Sequence, residues 1–324
     1  MRVAIVGCGL VGQKRAAGLG EHTLVSCFDQ DHGRAEALAA KFSTARAVEK
    51  LDTVLENGSI DAVIVATTHD SLASVGLRAI CAGKHVLIEK PGARTPEELS
   101  PLLEAAAAQH VTVKIGFNHR FHPSIRQARH MLVNGEVGEL MYIRARYGHG
   151  GRPGYEREWR ADPAVSGGGE LLDQGSHLID LSRWFGGDVV DVQGDIGTWY
   201  WPMPVEDNAF VRLRMQNGSL AWLHASWTEW KNLFSFEVFG RVGKLQIDGL
   251  GGSYGTERLT HYRMLPQMGP PEVSVWEFEG EDRSWTDEFE HFASCVRTGE
   301  PPCGSLWDGL ANLQVIAQLY ARST

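Results

Sequence analysis

Tryptophan is missing from the first 158 residues of this 324-residue chain: all ten lie at or beyond Trp159. No run reaches the ~18 to 20 apolar residues that a membrane-spanning helix needs, which excludes a helical membrane bundle. Lys and Arg form no block, and 31 of them against 40 Asp and Glu leave a net charge of −9. Duplex DNA and anionic membranes are therefore poor partners, whereas a small ligand in a local pocket remains compatible. The five cysteines (Cys8, Cys27, Cys81, Cys295, Cys303) contain no C-x-x-C pair and no even framework, so reduced thiols and a cytoplasmic location are expected. Internal repeats and low-complexity linkers are absent. The apolar start Val3–Val6 is broken at once by Gly7, Gly9 and Gly12 and then by Gln13-Lys14-Arg15, which argues against an export signal. With 43% hydrophobic and 22% charged residues, neither wholesale disorder nor a collagen-like repeat fits.

What is present divides in two. Before residue 120, short continuous apolar runs at 3–6, 24–28, 62–66, 86–88 and 111–115 alternate with helix-period stretches. Thr95-Pro96-Glu97-Glu98 marks one helix start as a capping box with proline at its first position. Unalternating strands between helices predict a parallel sheet buried on both faces, hence a doubly wound α/β domain over residues 1–120. After it, longer strands at 140–147, 189–200, 208–215, 219–227 and 234–239 follow one another, with a tight turn at Asn217-Gly218. They predict an α+β domain over 121–324 with a large, mainly antiparallel open sheet. Helices are expected at 170–185 and 285–297, and the helix near 306–320 is open to packing on either domain. An uncovered apolar sheet face predicts a homodimer or homotetramer joined through the second domain.

Gly7-Cys8-Gly9-Leu10-Val11-Gly12 follows the first strand and opens a helix, the arrangement that seats a pyrophosphate on free helix N–H groups. Asp29 ends the next strand, 22 residues after Gly7, placed to accept from ribose hydroxyls and to repel a 2′-phosphate. NAD is therefore favoured over NADP, although Arg34 lies in the same loop. Thr67 and Thr68 end the third strand; they serve either the cofactor or the cap of the next helix. His69 reads as a loop histidine. Glu89-Lys90-Pro91 closes a buried strand, an expensive place for two charges without a purpose. Asp173 and His177 are four apart in a helical pattern, which would put them on one face. His119 and His122 form H-x-x-H without a third ligand, so no metal site is expected. Arg120 serves either a polar substrate group or an interdomain salt bridge, and Gly148–Tyr155 reads as a polar lid.

These motifs, together with Gly116-Phe117-Asn118-His119-Arg120-Phe121, Trp159-Arg160 and Gly167 to His177, resemble the glucose-fructose oxidoreductase / inositol dehydrogenase / rhizopine-catabolism-type oxidoreductases over essentially the whole chain. The resemblance implies an NAD-dependent oxidoreductase acting on a sugar, a sugar derivative such as a nucleotide-sugar, or a cyclitol. It implies His177 as acid/base, Asp173 orienting it or binding a hydroxyl, and Lys90 stabilising charge. Gly7, Gly9, Leu10, Val11, Gly12, Asp29, Thr67, Thr68, Glu89 and Lys90 would contact the cofactor. Asn118, Arg120, Trp159, Arg160, Asp173 and His177 would contact substrate. Many relatives carry a histidine where Leu72 stands, and no role of that histidine transfers here. Two other readings stay open: a non-catalytic dinucleotide sensor, and an enzyme that keeps NAD bound for transient oxidation during glycosidic cleavage or epimerisation.

Overall fold

The computed structural model describes residues 1–322. The chain divides into two compact units that are not contiguous in sequence.

The first unit holds β1 (Arg2–Val6), α1 (Leu10–Ala17), β2 (Thr23–Phe28), α2 (His32–Ala39), β3 (Arg46–Ala47), α3 (Leu51–Leu55), β4 (Ala62–Val65), α4 (His69–Cys81), β5 (His85–Glu89), α5 (Pro96–Gln109) and β6 (Val113–Gly116). All six strands pair in parallel in the order β3-β2-β1-β4-β5-β6, the expected doubly wound sheet. Apolar runs without alternation produce it because helices cover both faces: every residue of β4 is buried. The Thr95 hydroxyl accepts from the Glu98 N–H as the capping box requires, and His110 closes α5 in a left-handed conformation. The short pieces β3 and α3 lie outside the expected elements; two and five residues carry too little periodicity to be read.

The second unit holds α6 (Pro123–Val133), β7 (Leu140–Gly148), a π turn over Leu171–Gly175, α8 (Ser176–Gly186) and β8 (Val189–Gly197) to β14 (Glu272–Phe278); of the four-residue α7 (Pro163–Ser166), which precedes the Gly167–Gly169 triplet, all but Pro163 belongs to the first unit. Its eight strands run in the order β14-β13-β12-β11-β7-β10-β9-β8, with β9 (Asn208–Met215), β10 (Leu220–Ser226), β11 (Leu233–Gly240), β12 (Gly243–Asp248) and β13 (Glu257–Arg263) between. Every pairing is antiparallel except β7 with β10. β8 stops at Gly197, short of the expected Tyr200, because the buried Asp207 carboxylate accepts from the N–H groups of Trp199, Tyr200 and Trp201 and turns the chain. β12, β13 and β14 were not anticipated from the sequence.

The outer sheet face carries both apolar and charged side chains. Phe210, Trp222, Val273 and Val275 are exposed on it, but ion pairs run between them. Arg144 and Lys244 both pair with Glu237, and Arg212 pairs with Asp191.

The chain then returns to the first unit. Residues 285–314 belong there, including most of α9 (Ser284–Thr298), while α10 (Leu306–Arg322) divides between the units at Gln314. A single block over 121–324 does not include this return. Its cause is apolar: Phe289 and Phe292 are buried in one cluster with Val3, Ile5, Leu24 and Leu38.

Candidate active site

In the first unit, Gly7 has φ +94° and donates its N–H to the Phe28 carbonyl at 2.8 Å. A Cβ there would fall 2.4 Å from the Ala66 oxygen, and one at Gly12 would fall 2.0 Å from the Gly7 oxygen. Both glycines are required by close approach. Gly9 caps α1, and nothing lies within 4 Å of where its Cβ would be, so a ligand has open access to the backbone. The first N–H groups of α1, from Leu10 onward, lack intrahelical acceptors by helix geometry and suit an anion. The half-buried Asp29 carboxylate ties the turn to β2, accepting from the N–H of Cys8 at 2.7 Å and of Asp31 at 2.9 Å. Arg34, the one nearby cation weighed for a 2′-phosphate, pairs with Asp31 at 3.3 Å. A glycine turn, an open helix end and this carboxylate together fit a dinucleotide.

Thr68 is the N-cap residue of α4, with its hydroxyl donating to Asp70 at 2.6 Å, and Thr67 donates to the Thr68 carbonyl. His69 is not a loop residue. It opens α4, is buried, and bonds through Nδ1 to the Ser166 carbonyl at 2.8 Å. Glu89 also departs from expectation: its carboxylate is buried against Arg15 of α1 rather than turned to a ligand. Arg15 in turn reaches Glu288 at 2.6 Å, and Glu288 forms an ion pair with Lys114 at 3.1 Å, so two cations and two anions interlock in the interior. Burial pushes the Glu89 carboxyl above its ordinary range despite Arg15. The expensive placement of Glu89 serves this network. Lys90 follows it, half-buried, with a cis bond to Pro91.

In the second unit, the expected continuous helix over 170–185 is a π turn followed by α8. The wider turn means Asp173 and His177 do not stand in simple i, i+4 register on one helix. Asp173 accepts from Arg160 Nε at 2.9 Å, and the Arg160 guanidinium lies over the Trp159 ring at 4.6 Å. His177, 5% exposed, lies flat against His119, with ring centroids 3.6 Å apart and planes 16° apart. Tyr147 meets both rings edge-on, and Tyr254 approaches Tyr147 at 5.0 Å and accepts from Gln174 at 3.1 Å. Burial raises the hydroxyls of both tyrosines above their ordinary range, so they act as neutral hydrogen-bonding groups.

The π turn has a support that sequence reasoning missed. The buried Glu206 carboxylate accepts from the N–H of Gly169 at 2.9 Å, the N–H of Leu171 at 3.1 Å and the Tyr320 hydroxyl at 2.8 Å. Gly169 cannot carry a side chain, because its Cβ would sit 2.0 Å from the Glu206 carbonyl oxygen.

Two expected substrate contacts are engaged elsewhere. Arg120 forms a buried fork with Asp180, at 2.8 and 2.6 Å, inside the second unit. The Asn118 amide donates to the Ser284 hydroxyl at 3.0 Å. His122 bonds to Glu257 at 2.9 Å rather than contributing to a metal set, and among the described residues no group of three ligating side chains is placed to hold a metal. The expected lid is pinned: His149 donates its N–H to the Ser226 carbonyl, and a Cβ on Gly151 would strike the Trp201 ring at 2.5 Å. No described helix is long and apolar enough to cross a membrane.

Comparison with known proteins gives these features a context. Residues 1–117 match the model of an oxidoreductase family with an NAD-binding Rossmann fold, and residues 125–246 match the GFO/IDH/MocA C-terminal domain. The chain is similar to scyllo-inositol 2-dehydrogenase (NAD(+)) of Bacillus subtilis, 28% identical over 97% of this chain and 92% of that protein. It is 30% identical to D-glucoside 3-dehydrogenase of Escherichia coli, over 70% of each. Among solved structures, levoglucosan dehydrogenase in complex with NADH and levoglucosan shares the fold, with a TM-score of 0.92 at 20% identity, covering 100% of this chain and 97% of that one.

Proposed function

The chain belongs to the GFO/IDH/MocA family of NAD-binding oxidoreductases, and from that premise we propose that it oxidises a CH–OH group, or reduces the matching ketone, on a sugar, sugar derivative or cyclitol, with His177 as acid/base. It is an NAD-dependent dehydrogenase of the sugar and cyclitol class. The observation that carries the assignment of His177 is its burial and fixed ring plane in the same turn region as the Asp173–Arg160 pair. Relatives named for inositols, a glucoside and levoglucosan share one substrate feature, a ring bearing several hydroxyls. A carboxylate beside a guanidinium and an indole face suits that chemistry, offering acceptor, donor and apolar contact together.

Bound NAD supplies the hydride acceptor or donor. Leu10, Val11 and Gly12 would present backbone N–H groups to its pyrophosphate, Gly7 and Gly9 would let it approach, and Asp29 would accept from its ribose. In the oxidative direction His177 takes the hydroxyl proton; in the reductive direction it returns one. Its ordinary pKa, ~6.5, allows both near neutrality. Lys90 stabilises the charge developing on the substrate oxygen. Asp173, held by Arg160, orients the substrate hydroxyl.

The test is NADH absorbance with polyols, sugars and nucleotide-sugars, with and without added NAD+. Turnover that depends on added NAD+ is expected. With the substrate so found, His177→Ala should lower kcat about 10²- to 10⁴-fold, the usual worth of positioned acid–base catalysis, and leave NAD affinity intact. Near-normal turnover in that variant would remove His177 from the reaction. The reading also takes the chain to be a homodimer or homotetramer joined through the outer sheet face, supported by exposed Phe210 and Trp222 there. Light scattering that gave a monomer mass at micromolar concentration would refute this assembly.

A further inference from the structure

We propose that His119 is a positioning residue for His177: its imidazole, stacked face to face, fixes the His177 ring plane and disfavours a second proton on the stack. The inference rests on the acid/base role of His177 above, but its closing experiment can be read without it.

The geometry is specific. His119 sits in the short 3₁₀ turn Asn118–Phe121 and His177 in the first turn of α8, and both are 5% exposed. Their centroids are 3.6 Å apart and their planes 16° apart, whereas the surrounding aromatic rings meet His119 edge-on. A flat stack leaves a ring no freedom to rotate about its last torsion, so His177 presents only its edge nitrogens. Two such rings cannot both be charged without strong repulsion at this distance and burial, so they titrate as a pair, with the second proton added at lower pH than either ring alone would require.

The charged groups around the stack favour this division of labour. His122, edge-on to His119 at 5.7 Å between centroids, bonds to Glu257 at 2.9 Å, with Asp282 at 4.0 Å on its other nitrogen. Burial alone would raise the Glu257 carboxyl, but His122 and Ser124 outweigh it and hold it below its ordinary range, so this carboxylate is matched to His122. Asp180 below His177 on α8 is occupied by Arg120, and Asp173 by Arg160. Tyr147 and Tyr254 are neutral, and Glu170, fully buried ahead of the π turn, acts on both tyrosines. The ring stacked on His177 is itself an imidazole. A histidine there, rather than a phenylalanine, adds a proton-dependent brake to a purely steric contact.

The experiment compares wild type with His119→Phe and His119→Ala. His119→Phe keeps a flat ring of similar size and removes the second titration. Ring-proton NMR on histidine-labelled protein, with His177→Ala identifying the His177 signal, reads the midpoint directly. A rise of at least half a pH unit in His119→Phe is expected, together with the acid limb of kcat/KM moving the same way. His119→Ala, which also frees the ring plane, should lose at least tenfold in kcat while retaining NADH affinity, and circular dichroism with NADH binding certifies its fold. If the His177 midpoint and the acid limb stay where they are in His119→Phe, the proposal is overturned, whatever happens to kcat. If the midpoint moves but His177→Ala still turns over, the stack is confirmed and the acid/base assignment is what fails.

Discussion

Replacing Glu206 should damage the protein by an amount the structure allows to be worked out. Its carboxylate accepts two backbone N–H groups, those of Gly169 and Leu171, and also takes the Tyr320 hydroxyl. In Glu206→Ala these three buried donors lose their partner. Leaving a buried donor unsatisfied costs about 1 to 3 kcal/mol each, so the gross loss is about 3 to 9 kcal/mol. Part of it is returned, because burial raises the Glu206 carboxyl above its ordinary range: keeping that group ionised in the interior already carries a penalty. A net destabilisation of about 2 to 4 kcal/mol follows. Tyr320→Phe removes one donor of the three and should cost about 1 to 1.5 kcal/mol. The two losses share one contact, so the double variant should fall short of additivity by about 1 kcal/mol. Urea unfolding followed by tryptophan emission is a suitable assay: of ten tryptophans only Trp285 and Trp307 lie in the first unit, so eight report on the second. Strict additivity, or a Glu206→Ala loss under about 0.5 kcal/mol, would refute the reasoning that Glu206 carries the turn.

Three further outcomes are expected. Glu288→Ala, which leaves Glu89 as the carboxylate of buried Arg15 and takes the paired carboxylate from buried Lys114, should cost about 3 to 5 kcal/mol, and a loss below about 1 kcal/mol would show that water reaches the network. NAD(H) should bind more tightly than NADP(H), and Asp29→Ala should narrow the gap; a fluorescence titration in which unmodified protein prefers NADP(H) contradicts the role given to Asp29. Burial raises the Asp207 carboxyl, but the N–H groups of Trp199, Trp201 and Tyr200 and the Asn208 amide outweigh it, so its folded pKa lies below the unfolded value of about 3.9. Its contribution is then complete above that pH and lost as pH falls towards the folded value. Asp207→Asn should be less stable than wild type at pH 7 by a margin that closes below about pH 4, and a margin independent of pH would contradict this.

What was legible in the sequence follows from how far apart the interacting residues lie. The β1–glycine turn–α1 unit and Asp29 could be read because each requirement is local: an apolar strand, a helix start, and glycines whose neighbours are within a few residues or on the adjacent strand. The same holds for Thr95 and for the Asn217-Gly218 turn, where Gly218 has φ +87°. The hairpins of β12 to β14 were not legible. Their inner residues Leu245, Ile247 and Leu259 are fully buried, but their outer residues are mostly polar or charged and β14 is exposed along nearly its whole length, so the alternation has low contrast.

The site shows the limit more sharply, because there the residue types were read correctly and their partners were not. Glu89 reads as a costly buried charge, Arg120 as a substrate contact or an interdomain salt bridge, and Asn118 as a substrate contact. Each meets its partner across a gap in sequence: Arg15 for Glu89, Asp180 for Arg120, Ser284 for Asn118. A buried charge needs a matching group nearby, but nothing in the spacing says whether that group is a ligand or a side chain sixty residues on. The π turn has the same origin. A helical pattern over 170–185 contains no local reason to widen; the reason is Glu206, which captures the N–H groups of Gly169 and Leu171 from a distant loop. Once those two groups are bound from outside, the following turn is set by that anchor as well as by helix propensity. Asp173 is then carried to Arg160 and His177 to His119. The chemistry expected of Asp173 and His177 thus depends on a carboxylate with no motif to mark it, which is why Glu206 rather than either of them is the most demanding single test of the site.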